Sequence, residues 1–236
     1  MSASGKLIVF EGVEGAGKTT QIHRTLDWLE NSGWSKRLAA QCQLSPVAAV
    51  TREPGGTQLG LQIRRLLLDP ALSQSESITS EAELLLYAAD RAQHVIQFMQ
   101  PRLAAGQIVL CDRFTDSTVA YQGYGRQLDL ALIEKINRLA TFGLTSDLTL
   151  WFDVDVSQGL ARTREREAEH AAGDRMEAND LAFHQRVQAG FSTLAQASTL
   201  IHRVNASQSL EQVTAEVVQI LEGSFQRWFP HLLPNS

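Results

Sequence analysis

The chain has 236 residues, 44% of them hydrophobic and 20% charged, with a formal net charge of −5. That length and composition suit one α/β domain with a sizeable core; the negative balance excludes a broad electrostatic footprint for DNA or RNA, so any bound anion must meet a local cluster of cations. The opening apolar run, residues 7–10, is too short for a signal-peptide core and no run reaches membrane-spanning length, which predicts a cytoplasmic protein without a membrane partner.

In chain order, five apolar runs read as strands: 7–10, 47–51, 108–111, 148–153 and 200–204. Their hydrophobicity is continuous rather than alternating, which predicts strands covered on both faces, as in a parallel sheet. Helical stretches follow at 19–31, 57–68, 81–105, 128–141, 158–166, 180–196 and 210–223. Ser80 with Glu83, and Ser209 with Gln212, stand at capping-box spacing before the third and the last of these. The β-α alternation predicts a doubly wound five-stranded parallel sheet with helices on both faces. Residues 33–46 and 167–173 read as loops or insertions, and the apolar tail 228–233 is expected to pack on the body. Cys42 and Cys111 form no metal-ligand spacing, and Cys111 in its apolar run reads as a buried, reduced thiol. The six histidines show no zinc spacing either, and surface or helix-side roles are expected for all of them.

Between the first strand and first helix stands Gly12-Val13-Glu14-Gly15-Ala16-Gly17-Lys18-Thr19-Thr20, which satisfies G-x-x-x-x-G-K-[ST]. Glycines let backbone N–H groups turn inward around a phosphate, Lys18 can reach the terminal phosphates, and the Thr19 hydroxyl can join a magnesium shell. The helix N-terminus adds its partial positive charge. A chain of this composition would match by accident on the order of one time in a hundred. A P-loop by itself does not separate switches, motors and kinases.

Three further clusters narrow the choice. Arg52-Glu53-Pro54-Gly55-Gly56-Thr57 closes the second strand, where a doubly wound sheet faces its ligand crevice; the arginine can fork onto a phosphate monoester, or the segment is an ordinary turn. Asp112 and Arg113 close the third strand, where the carboxylate can serve a magnesium shell and the guanidinium an anion, or the two form a surface salt bridge. Arg162, Arg164 and Arg166 stand at i, i+2 and i+4, which is not one helical face. On a lid, about residues 158–178, they could serve the charge of a transferring phosphoryl group.

The blocks Phe10–Thr20, Thr51–Thr57, Tyr87-Ala88-Ala89-Asp90-Arg91 and Asp112-Arg113-Phe114 through Ala120-Tyr121-Gln122-Gly123, in this order, resemble bacterial thymidylate kinases over nearly the whole chain. The resemblance implies a P-loop kinase fold with an arginine-bearing lid, using ATP and Mg²⁺ to phosphorylate dTMP, in a homodimer formed through helices. It implies that residues 12–20 hold ATP, with Thr19 and Asp112 at the metal. Glu14 approaches the acceptor's sugar and metal shell, and Arg52 and Arg113 grip the acceptor phosphate. Tyr87 stacks on thymine, Arg91 bonds the base, Ser117 and Thr118 lie where the base edge is read, and Gln122 belongs to the substrate-binding set. Tyr121 crowds the place of a ribose 2′-hydroxyl. Gly15 stands where one group of the family carries its catalytic arginine, so the chain resembles the other group, with Lys18, Arg162, Arg164 and Arg166 as the catalytic set. Two segments depart from the pattern: 35–46 and 167–173 are longer than usual. Another pyrimidine nucleoside monophosphate kinase and a P-loop regulatory ATPase are the alternative readings. The Glu53–Pro54 peptide is expected to be cis.

Overall fold

The computed structural model describes residues 5–43, 45–68, 78–170 and 179–232, the side chains of residues 42 and 166–170 excepted. Five parallel strands form one sheet: β1 (Lys6–Glu11), β2 (Ala48–Arg52), β3 (Ile108–Asp112), β4 (Leu148–Asp153) and β5 (Ile201–Asn205), in the order β2-β3-β1-β4-β5. Central β1 is apolar because both faces are covered. Ile8 and Phe10 enter one core layer while Leu7 and Val9 enter the other, all at most 1% exposed. The register sets the geometry of the crevice. Arg52 pairs with Asp112, and Asp112 with Phe10, so the carboxyl ends of β2, β3 and β1 lie level along one edge of the sheet.

Helix α1 (Lys18–Asn31) leads from β1 and α3 (Gln58–Leu68) follows β2. The segment expected as a loop at 33–46 contains a helix, α2 (Trp34–Cys42). Its two buried apolar residues, Trp34 and Leu38, are one turn apart, and Trp34 packs on Phe225 and Phe229 of the C-terminal segment. Trp34 Nε1 donates to Glu222 at 3.1 Å, and Arg37 donates to the Leu232 carbonyl at 3.4 Å. The described part of the tail therefore packs on the body, as expected; residue 233 lies outside the described residues.

The long helix expected at 81–105 is three pieces: α4 (Ser80–His94), a π-helical turn at Val95–Met99, and α5 (Gln100–Ala104). Its cap is Thr79, which accepts from the Ala82 N–H at 3.3 Å, not Ser80. The expected box partner Glu83 faces inward instead, accepting from Gln122 and Arg126. Past β3, a helical segment absent from the sequence reading, α6 (Thr115–Thr118), runs into a second π-helical stretch, Val119–Gly125. Helix α7 (Leu130–Thr141) precedes β4, and α8 (Val156–His170) extends past the expected 166 through part of the supposed insertion; residues 171–178 lie outside the described residues. Helix α9 (Leu181–Ala197) precedes β5, and α10 (Leu210–Trp228) opens with the full Ser209/Gln212 capping box. Cys111 is a buried free thiol whose pKa burial pushes well up. Among the described residues, no helix is long and apolar enough to cross a membrane.

Candidate active site

The turn from β1 into α1 depends on glycine at three points, Gly12, Gly15 and Gly17, all at positive φ. Gly12 has φ 143°, and a Cβ there would lie 2.6 Å from the Phe152 carbonyl; Gly15 has φ 72°, and a Cβ there would lie 2.2 Å from the Gly159 carbonyl. The loop thus wraps tightly against β4 and α8, with α1 beginning at Lys18. Lys18 is buried, and its ammonium donates to the carbonyls of Gly12 (3.1 Å) and Val13 (3.0 Å). Burial, and then the neighbouring Arg113 charge, hold its pKa below the usual lysine range.

Arg113, beyond the end of β3, adopts φ 69°, a left-handed conformation costly for a side chain of this size. Its backbone N–H donates to Phe10 O at 3.0 Å, and its guanidinium turns back over the P-loop. Nη1 donates to Gly12 O (2.9 Å) and Ser117 Oγ (3.1 Å); Nη2 donates to Glu14 and to the Tyr121 hydroxyl (3.3 Å). Lys18 and Arg113 therefore share one acceptor, the Gly12 carbonyl. Two cations this close repel unless anions offset them; Glu14, Glu11 and Asp112 supply that charge.

Thr19 Oγ1 lies 3.3 Å from Asp112 Oδ2, while Asp112 Oδ1 is buried and has no hydrogen-bond partner. An unsatisfied buried carboxylate oxygen beside a hydroxyl is a hard-oxygen site and fits Mg²⁺. Among the described residues, no group of three or more His, Cys, Asp and Glu side chains could hold a metal.

Arg162 on α8 reaches the loop, its Nη1 lying 3.1 Å from Ala206 O and 3.5 Å from Gly15 O. Arg164, two residues on, points away and is exposed, as its spacing predicts; the Arg166 side chain lies outside the described residues. Arg52 stands exposed at the end of β2, level with Asp112. Tyr87, half-buried, and Arg91, one helical turn later, share a face of α4. The Arg91 guanidinium is only 2% exposed. It donates to Glu53 (2.8 Å), Thr118 (2.9 Å), Asn137 (2.7 Å) and the Phe114 carbonyl (2.8 Å). The Gln122 amide is turned to Glu83 at 2.9 Å. The structure thus brings together Lys18, Glu14, Arg113, Ser117 and Tyr121, sets Arg162 beside them, and joins Arg91 to Thr118. Arg52 shares their edge of the sheet without joining this hydrogen-bonded group.

Four residues escaped the sequence reading. Glu11, fully buried, accepts from the backbone N–H groups of Phe114 (2.8 Å) and Ser117 (3.1 Å) and from the Ser117 hydroxyl (2.5 Å), so it seats the start of α6. Burial, then the Asp116 charge, raises its pKa to about 7. Its signal was available: a carboxylate closing an apolar strand. Glu53, Asp90 and His94 form a buried cluster behind Arg52, and their partners are too distant in sequence for spacing to reveal. The expectation of surface or helix-side histidines is corrected for His94 and His184, both in the interior.

A P-loop at the carboxyl edge of a five-stranded parallel sheet, with Lys18 and Arg113 sharing the Gly12 carbonyl, fits a P-loop kinase fold. The profile of the thymidylate kinase family matches residues 10–217. The chain is 55% identical to a thymidylate kinase of Acaryochloris marina, covering 96% of this chain and 99% of the relative. It is 54% identical to one from a Cyanothece species, covering 97% and 98%. A crystal structure of thymidylate kinase from Ehrlichia chaffeensis superposes with a TM-score of 0.70 at 31% identity, covering 93% of this chain and 99% of the other. The chain belongs to the thymidylate kinase family.

Proposed function

We propose that the protein transfers the γ-phosphoryl group of ATP to dTMP, giving dTDP and ADP. The observation that carries this reading is the convergence of Lys18 and Arg113 on the Gly12 carbonyl. A cation that can serve the donor and one that can serve the acceptor meet at one peptide, which suits two phosphate chains held end to end.

Phosphoryl transfer asks alignment and charge compensation of the protein, and little covalent help. The P-loop amides of residues 12–20 cradle the donor, Lys18 pairs with its terminal phosphates, and Arg162 approaches from α8, with Arg164 and Arg166 on the same helix. Thr19 and Asp112 would hold Mg²⁺, which neutralises phosphate oxygens when bound. Arg113 and Arg52 grip the acceptor phosphate, whose oxygen is already a competent nucleophile, so no general base is assigned. Glu14 orients Arg113 and borders the acceptor sugar. Tyr87 stacks on thymine; Arg91, Ser117 and Thr118 line the base edge; Gln122 belongs to the substrate-binding set; Tyr121 crowds the 2′ position. Residues 158–178 act as the lid of a single catalytic domain, excluding water on closure.

The exposed apolar side chains Leu59 and Leu66 on α3, Leu85 on α4, and Leu132 and Leu139 on α7 support a homodimer joined through these helices. On this reading the enzyme works in the cytoplasm. Coupled measurement of ADP formation across dTMP, UMP, dCMP and dGMP tests the assignment. Fast turnover confined to dTMP is expected; slow ATP hydrolysis indifferent to every acceptor would overturn it.

A further inference from the structure

Arg52 is exposed, yet the residues on either side of it are buried. Glu53 Oε1 lies 2.9 Å from His94 Nδ1, and Thr51 Oγ1 lies 2.6 Å from His94 Nε2. One imidazole therefore grips both neighbours of Arg52. The Glu53 carboxylate is paired with Arg91 and can only accept, so Nδ1–H donates to it, while Nε2 is hydrogen-bonded to the Thr51 hydroxyl, a group able to donate or accept. The chain of bonds reads Thr51 to His94 to Glu53, with Arg91 donating to the other carboxylate oxygen at 2.8 Å.

The rest of the turn is fastened by the same helix and by the end of β3. The Gly55 N–H donates to Asp90 Oδ1 at 3.0 Å, one helical turn from His94, and the Glu53 N–H donates to Asp112 O at 2.9 Å. Two glycines admit this close approach. A Cβ at Gly56 would lie 2.3 Å from His94 Nε2, and one at Gly60 2.2 Å from Asp90 Oδ1. Arg91 already supplies the charge that a buried carboxylate requires. What His94 adds is orientation, since a carboxylate held at one oxygen can still rotate about its own bond and one held at both cannot.

We propose that His94 is a positioning residue for the acceptor: through Thr51 and Glu53 it fixes Arg52 at the phosphate, and through Glu53 it fixes Arg91 at the base, so that the two grips act as one rigid unit. This rests on the proposed acceptor roles of Arg52 and Arg91.

The test uses the full-length enzyme with His94→Leu, His94→Asn and Thr51→Val, measuring KM for dTMP and for ATP, kcat, thermal midpoint, and the Kd of thymidine as a probe that carries the base without the phosphate. Hydrogen bonds to charged groups set the scale, so His94→Leu should raise KM for dTMP about tenfold or more while KM for ATP changes less than about twofold. Thymidine should weaken as well, because Arg91 loosens with Glu53. His94→Asn, whose amide can still donate to Glu53, should recover much of the loss, and Thr51→Val should raise KM for dTMP several-fold. A merely structural histidine would lower the thermal midpoint with KM for dTMP unchanged, or raise both KM values together; either result overturns the proposal. Unaltered thymidine affinity would overturn the coupling to the base. Should His94→Leu not fold, the other two variants decide, and normal KM for dTMP in both overturns it. A wild-type enzyme inactive on dTMP would instead defeat the acceptor reading itself.

Discussion

Gly159, near the start of α8, faces the P-loop so closely that a single methyl group is a usable probe of the proposed lid. A Cβ there would lie 2.8 Å from the Glu14 carbonyl, with Val154 and Val13 side chains at 3.4 and 3.5 Å. The close atom is backbone and cannot rotate away, and the gap is about 0.5 Å shorter than an ordinary C–H···O approach. Gly159→Ala must therefore push α8 away from the loop by roughly that distance. Alanine gains about 0.5–1 kcal/mol in a helix interior, and overpacking costs about 1–3 kcal/mol, leaving a net loss of about 0–2.5 kcal/mol. For a domain of this size the midpoint should fall by no more than about 10 °C, at about 2–4 °C per kcal/mol. Activity should suffer more. Arg162 reaches Ala206 O and Gly15 O from the next turn of the same helix and moves with it. Since a misplacement of about 1 Å can cost about a hundredfold, half of that shift should lower kcat roughly tenfold. The assay is ADP formation at saturating dTMP and ATP, with calorimetry alongside. A kcat within twofold of wild type in a stably folded variant would refute the idea that the Gly15–Gly159 approach sets the position of Arg162.

Other consequences can be checked separately. Gly15→Arg introduced into Arg162→Ala should not restore turnover, because Gly15 has φ 72° and its Cβ would meet the Gly159 carbonyl at 2.2 Å; recovered kcat would show that the loop accepts the arginine. Arg91→Ala should raise KM for dTMP far more than KM for ATP, and lower stability by about 3–5 kcal/mol because buried Glu53 loses its counter-charge; denaturant titration and steady-state kinetics measure both. Asp90 titrates near 6, raised from 3.8 by burial and then by Glu53. The folded state thus holds this proton more tightly than the unfolded state. Its contribution is complete below about pH 4 and is lost as pH rises through about 6, at about 1.4 kcal/mol per unit of separation. Asp90→Asn should flatten that slope of stability against pH, and an unchanged slope would count against the assignment. Tyr121→Ala should raise activity on UMP relative to dTMP, as read by acceptor profiling.

The parts of the fold that the sequence declared are those written in local chemistry. The central strands β1 and β3 appear as unbroken apolar runs, the P-loop as spaced glycines ending in Lys18, and the start of α10 as Ser209 three residues before Gln212; the edge strands β2 and β5, expected to be covered on both faces, are instead largely part-exposed. The misreadings have physical reasons. Helix α2 buries only Trp34 and Leu38 among its described side chains, and its stability comes from Phe225, Phe229 and Glu222, far away in sequence. The π-helical turns at Val95–Met99 and Val119–Gly125 shift backbone bonds by one residue, which no side chain announces. Thr79 and Ser80 can both cap a helix, and the box partner that would have favoured Ser80 is drawn inward by Gln122 and Arg126. At the candidate site, the P-loop was legible because its glycines, lysine and threonine stand at a fixed spacing between a strand and a helix. The buried groups Glu11, Glu53 and His94 were not, since a buried acid or imidazole acquires meaning only from partners that folding delivers.

The docking of α2 against α10 has one more implication. Trp28, Trp34, Phe225, Trp228 and Phe229 share ring contacts, with Trp28 meeting Phe225 edge-on at 5.1 Å. Arg37 lies over the Trp34 ring at 4.1 Å while holding the Leu232 carbonyl. Loosening either segment wets the aromatic surface beneath the other, so the two should open together in hydrogen exchange, as a single cooperative patch remote from the phosphate chemistry.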